Sequence, residues 1–242
     1  MKTKPRNWRQ WAFVLIVVGY VQYIVLIAVA MHYYPGGTLS NHDTVGYLFW
    51  NNYTSDLSRR VSLSGDPNTI SRSLYEVSQC ILYLILCLFF IALPRLFSKA
   101  KSARLLANIG SVFGVIGAIS MVIETFIPWD LHKLAMETFD ETFNIAFTAA
   151  LLLYIVAIFR DKLFPKVYAY VILAYLFIGA CLPVIYFAFP HPEKALDNRL
   201  QSIAVVIVSY GAAVCVSIFA YGAWRVDKRR RELGTDSTLG KG

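Results

Sequence analysis

Residues 11–31 read WAFVLIVVGYVQYIVLIAVAM, without one charged side chain. A hydrocarbon core about 30 Å thick needs roughly 20 consecutive apolar residues in a helix that rises 1.5 Å per residue. This stretch has that length, and it decides the fold class. Working outward, five more runs of the same kind follow at 77–97, 105–127, 143–159, 167–189 and 202–224, separated by charged or Pro/Gly-containing stretches. The chain therefore reads as an all-α polytopic membrane protein. One bundle of six transmembrane helices occupies 1–225, and 226–242 forms a basic cytoplasmic tail whose composition predicts disorder. Bulk composition agrees, since 57% hydrophobic and 16% charged residues leave too little polar surface to cover a soluble globule.

Lys2, Lys4, Arg6 and Arg9 precede the first run, and Ala28-Val29-Ala30 resembles a cleavage site. The run is nevertheless longer than the ~7–15 apolar residues of a signal peptide, so it is expected to stay as a span. Cys80, Cys87, Cys181 and Cys215 all fall inside apolar runs, with no zinc spacing. They read as small apolar fillers, and no cofactor is expected.

Lys and Arg in short loops mark the cytoplasmic side. With both termini cytoplasmic in a cell membrane, only Arg59, Arg60, Arg72, Lys133, Lys194 and Arg199 of the 23 basic residues lie on the far side. One long outer loop then joins the first two helices. The net charge of +8 reflects insertion and attraction to an anionic leaflet, and it requires no nucleic-acid partner. Lys228, Arg229, Arg230 and Arg231 are the candidate contact with anionic lipid. All four histidines, His32, His42, His132 and His191, and most acids fall on the outer side, so a site is expected to face outward.

The fourth run is short for a span, which predicts submerged polar groups. Counting back about 20 residues from Phe159 places Asp140, Glu141 and Asn144 at or just inside the outer edge of the hydrocarbon. At ~100° per residue, Lys133, Glu137, Asp140, Glu141, Asn144 and Thr148 share one stripe. Pro128-Trp129-Asp130 precedes them, with Asp130 as the expected N-cap. The second helix is expected to start at Asp66-Pro67, with Arg72, Glu76, Gln79 and Tyr83 on one face. On the third, Glu124, Ser120, Gly117, Phe113 and Gly110 share a face, and Gly110 and Gly114 have the spacing of close helix approach. Facing lipid, such groups would cost several kcal/mol, so they are expected to converge on an acidic vestibule lined by Glu76, Glu124, Glu137, Asp140 and Glu141, with Arg72 and Lys133 as counter-charges. The long loop, apolar at Tyr47-Leu48-Phe49-Trp50, is expected to cover it as a short interfacial helix or re-entrant segment presenting Asn51, Asn52, Tyr53, Ser55 and Asp56. Asn52-Tyr53-Thr54 also reads as a glycosylation sequon where a secretory pathway exists.

Ser55-Asp56-Leu57 after the first helix, Gly110, Gly114 and Gly117 in the third, and Ile127-Pro128-Trp129-Asp130 with His132 before the fourth form a pattern. It resembles a broad family of six-helix prokaryotic integral membrane proteins of unknown function, similar in outline to the DRAM-like proteins. The resemblance covers most of residues 11–225, with Ser58 standing where the family's first element has Gly, and it implies a fold more than an activity.

Three functions compete. The first is a non-enzymatic protein binding a cation, a proton or a lipid headgroup through Asp56, Glu124, Asp130, His132 and Asp140, with His132 as the pH-sensitive partner. The second is a metal-dependent lipid hydrolase with His42, Asp56, Asp130 and His132 on zinc and Glu137 as general base, loosely resembling the ceramidase and adiponectin-receptor-like superfamily but lacking H-E-x-x-H. The third is secondary transport, with Gln22 and Pro183 as its mid-membrane hints.

Overall fold

The computed structural model describes residues 8–97 and 101–239, with side chains described as far as residue 232. Regular structure among them is helical: α1 Trp8–His32, α2 Thr69–Ala92, α3 Lys101–Thr125, α4 Lys133–Arg160, α5 Val167–Ala188 and α6 Ala195–Leu239, with short 3-10 helices at Thr54–Ser58 and Leu93–Phe97. Each of the six α-helices is long and apolar enough to cross a membrane. The connection between α1 and α2 carries two isolated β-bridges, Gly36 with Val45 and Val61 with Pro67.

Several helix ends depart from the apolar runs, because hydropathy registers contact with hydrocarbon whereas a helix continues wherever its backbone can hydrogen-bond. Asn68, not Asp66, sits at the N-cap of α2. Its side-chain amide donates instead to the carbonyls of Leu57 (3.1 Å) and Arg59 (3.0 Å), fastening the preceding loop. Likewise His132, not Asp130, occupies the N-cap of α4. Asp130 is committed elsewhere, accepting the Arg60 backbone N–H at 3.1 Å.

The larger departure is at the C-terminus, where α6 runs on to Leu239 through the segment expected to be a disordered tail. Buried acids hold it. Asp227 pairs with Arg231 one turn on (2.8 Å) and with Arg9 of α1 (3.4 Å), and Arg230 pairs with Asp161 after α4 (2.9 Å). Arg230 and Asp227 therefore fasten α6 to its neighbours and Arg231 braces Asp227 within the helix, while Lys228 and Arg229 stay exposed.

Between apolar helices in lipid the cohesive force is close van der Waals approach, which small residues permit. Gly110 packs on the backbone of Ala150 and the ring of Tyr154, Gly117 on Phe143, and a Cβ on Gly114 would overlap the Phe90 ring. Ser111 donates to the Phe90 carbonyl and shares a hydrogen bond of 2.6 Å with the Tyr154 hydroxyl. Phe113, expected on the same face, is turned outward. Around these contacts Phe89, Phe90, Tyr154, Phe164 and Phe219 form one aromatic core. It fills the half of the bundle that holds the start of α1 and the C-terminal part of α6.

The other half is hollow. Of α5 only Tyr168, Ala169 and Ile172, all in its first turns, are buried. Farther along, a Cβ on Gly179 would find no atom within 4 Å. This contrast predicts that Gly114→Leu lowers stability by about 1–3 kcal/mol through overpacking, whereas Gly179→Leu leaves it unchanged. Thermal unfolding of the purified full chain in maltoside detergent reads both.

Candidate functional site

A cavity of about 880 Å³ fills the hollow half, walled by all six helices and roofed by the α1–α2 connection. Its deepest acid comes from the last turn of α3. Glu124 is 3% exposed, and its Oε2 makes no hydrogen bond to a described residue. Nearby hydroxyls give it no help, because Ser120 donates to the Gly117 carbonyl and Thr125 to the Met121 carbonyl, each at 2.7 Å.

From α4 come Lys133, Glu137, Asp140, Glu141 and Asn144, the stripe that the helical period predicts without Thr148. Lys133 lies 3.5 Å from Glu137, and the Asn144 amide donates to Asp140 at 3.1 Å. Asp140 stands roughly 10 Å along the helix from its start, by the standard rise.

The roof is fixed by Asp56, which lies in the 3-10 turn. Its Oδ2 accepts from the Asn52 amide (3.1 Å) and the Tyr53 backbone N–H (2.9 Å), and its Oδ1 accepts from Arg59 Nε (3.3 Å). Burial pushes the Asp56 carboxyl above the usual carboxylate range, against the opposing pull of Arg59, Asn52 and the Tyr53 N–H. Burial and Asp56 together push the Tyr34 hydroxyl up to about 12. Asn52 also donates to the Gly37 carbonyl at 2.7 Å and is fully buried, so the sequon is a structural element. Gly37 has φ +85°, and any Cβ there would strike the backbone of Leu63 and Ser64. On the α6 side, Tyr53 donates to Gln201 (2.6 Å), Gln201 to the Phe189 carbonyl (2.5 Å) and Asn198 to the Asn51 carbonyl (2.8 Å).

Charge on the wall is unbalanced: Asp56, Glu124, Glu137, Asp140 and Glu141 face only Arg59 and Lys133. Both cations lie over the ring of Trp129, the guanidinium 4.3 Å and the ammonium 5.3 Å from its centroid. The remaining wall is aromatic, with Tyr20, Tyr23, Tyr75, Tyr83, Tyr175 and Tyr186 contributed by three helices, α1, α2 and α5. Aromatic faces and carboxylates together suit a positively charged organic group.

Several expected members lie elsewhere. Glu76 pairs with Arg72 at 2.7 Å beside a second, separate hollow that it shares with Asp130. The stripe on α2 thus divides, with only Gln79 and Tyr83 reaching the cavity. His42 bonds the Leu63 carbonyl at 2.7 Å on the loop surface, and His132 lines neither hollow. Among the described residues no three His, Cys, Asp or Glu side chains come together to hold a metal ion, so His42, Asp130 and His132 are not assembled as a metal set. Tyr53 and Tyr83 line the cavity as expected, whereas Tyr20, Tyr23, Tyr75, Tyr175, Tyr186, Arg59 and Gln201 join it without having been assigned to a site from sequence. The spacing of Tyr20 with Tyr23, and of Tyr75 with Gln79 and Tyr83, carried that signal on α1 and α2.

Asp56 and Glu124 should respond oppositely to neutralisation. Asp56→Ala leaves buried Arg59 without its partner and is expected to cost roughly 3–5 kcal/mol. Glu124→Gln removes an unpaired buried acid, so the unfolding temperature in maltoside detergent should hold or rise. Set against known protein families, curated proteins and solved structures, the chain matches none.

Proposed function

We propose that the chain is a multi-pass membrane protein, with both termini cytoplasmic, whose outward-facing cavity binds a cationic group and catalyses no reaction. The observation that carries this reading is Glu124, a residue on the wall of an acid-rich hollow whose buried carboxyl has one oxygen without a partner among the described residues. A carboxylate withdrawn from water costs several kcal/mol unless a cation or a proton meets it. The tyrosine faces favour an organic cation over a small inorganic one.

Orientation is supported by the ends of the bundle. Arg95, Arg104, Arg160, Lys162 and Lys166 flank the packed end with the termini, while the hollow end is acidic. Lys228 and Arg229, exposed on α6 at the packed end, are the residues we assign to anionic lipid. The loop 33–68 acts as the cavity's lid. Its Ser55-Asp56-Leu57 element and the Pro128-Trp129-Asp130 element meet through Arg59 on Trp129 and Arg60 on Asp130, so the motifs behind the family resemblance read as a lid fastening.

Tetramethylammonium chloride titrated onto the full chain in maltoside detergent should raise the unfolding temperature saturably, beyond equal sodium chloride, and Glu124→Gln should abolish the difference. Indistinguishable responses of the unmodified chain to the two salts would remove the cation-binding reading. For orientation, single cysteines at Asp43 and Lys228 on a cysteine-free background are tested in intact cells. A membrane-impermeant maleimide should label the first and reach the second only after permeabilisation, and the reverse pattern would invert the topology.

A further inference from the structure

The cavity is unwalled on one side. α5 is buried only through its first turns, and beyond them none of its residues is buried. Gly179 has open space where a side chain would be, and Pro183 four residues on supplies no N–H to the Gly179 carbonyl. The residues flanking this gap belong to the cavity and are exposed: Asp140, Glu141 and Asn144 on α4, Pro183 and Tyr186 on α5.

The gap runs from the outer edge of the apolar run of α4, where Asp140, Glu141 and Asn144 lie, along the apolar length of α5, so in a bilayer lipid stands against it. The aqueous mouth, by contrast, is roofed by the loop that Tyr53, Gln201, Asn51 and Asn198 tie to α6. A molecule reaches the side opening directly only if it already resides in the bilayer.

Charge inside the cavity is arranged in two zones. Glu124 and Asp140 lie among tyrosines, whereas Arg59 and Lys133 are held over Trp129 where the loop meets α4, the first also 3.3 Å from Asp56 and the second 3.5 Å from Glu137. Only one of the five N–H donors of Arg59 is taken by Asp56. An acidic, aromatic zone takes an ammonium, and the donors that Arg59 and Lys133 keep beyond their pairs with Asp56 and Glu137 take a phosphate. Both charges in one molecule make a zwitterionic phospholipid headgroup.

Resting on the cation-binding reading of the same cavity, we infer that its ligand is an amphiphile with an ammonium-phosphate headgroup, admitted sideways from the bilayer between α4 and α5. Glu124 meets the ammonium, Lys133 and Arg59 meet the phosphate, and the hydrocarbon tail lies in the gap past Gly179.

The test measures affinities of the full chain in maltoside detergent for lysophosphatidylcholine, lysophosphatidylglycerol and tailless phosphocholine, by thermal-shift titration. Lysophosphatidylcholine should bind at least tenfold more tightly than lysophosphatidylglycerol and at least a hundredfold more tightly than phosphocholine. Glu124→Gln and Lys133→Gln should each weaken it tenfold or more. Gly179→Trp, which fills open space, should weaken it similarly while leaving phosphocholine and tetramethylammonium unaffected. If phosphocholine binds as tightly as the lysolipid, or Gly179→Trp has no effect, sideways entry is overturned although the cation site survives. Equal binding of the two lysolipids overturns the zwitterion assignment and identifies surface lipid only. If neither lysophosphatidylcholine, phosphocholine nor tetramethylammonium binds, this inference and the cation-binding reading fail together.

Discussion

Hydrocarbon offers no partner to a carboxylate, and the hollow half of this bundle is arranged around that constraint. Acids on α3 and α4 line a space that the helices leave unfilled, the arrangement expected of charge carried on helices apolar enough to cross a membrane. Glu124 is the extreme member, with neighbouring hydroxyls already committed to backbone carbonyls. The unfilled space and the unpaired charge are two aspects of one arrangement.

The packed half makes that arrangement tolerable. Glycines on α3 bring α2 and α4 close enough for the Phe89, Phe90, Tyr154 and Phe219 rings to interlock, and pairs from Asp161 and Asp227 knit α1, α4 and α6 at the same end. With cohesion concentrated there, α5 can be held by its first turns alone. Its remaining length lines the cavity without burying a residue, and the roof is tied to α6, to Trp129 and, through Gln201, to the Phe189 carbonyl at the end of α5.

Asp56 and Glu124 illustrate how one residue type takes different parts. Both are buried acids that touch the cavity. Asp56 has donors on both oxygens and fixes a turn, whereas Glu124 has an oxygen without any. From composition or depth alone the two are equivalent; the difference lies in the nearest donors, which for Asp56 come from three to four residues away in its own loop.

The sequence by itself determined six apolar helices, because the length of an uncharged run is a local property that hydrocarbon thickness converts directly into a span. It also determined the α4 stripe from Lys133 to Asn144, since helical period alone puts those residues on one face. It did not determine which stripes meet. Glu76 and Asp130 went to a separate hollow, Asp66 and Asp130 surrendered their capping roles to Asn68 and His132, and 226–239 became helix instead of tail. Each outcome turned on a partner distant in the chain or on a loop backbone, such as Arg60 for Asp130, the Leu57 and Arg59 carbonyls for Asn68, and Asp161 for Arg230. The tyrosine wall and the opening beside α5 were likewise decided only by packing, because no local pattern specifies how far apart two helices stand.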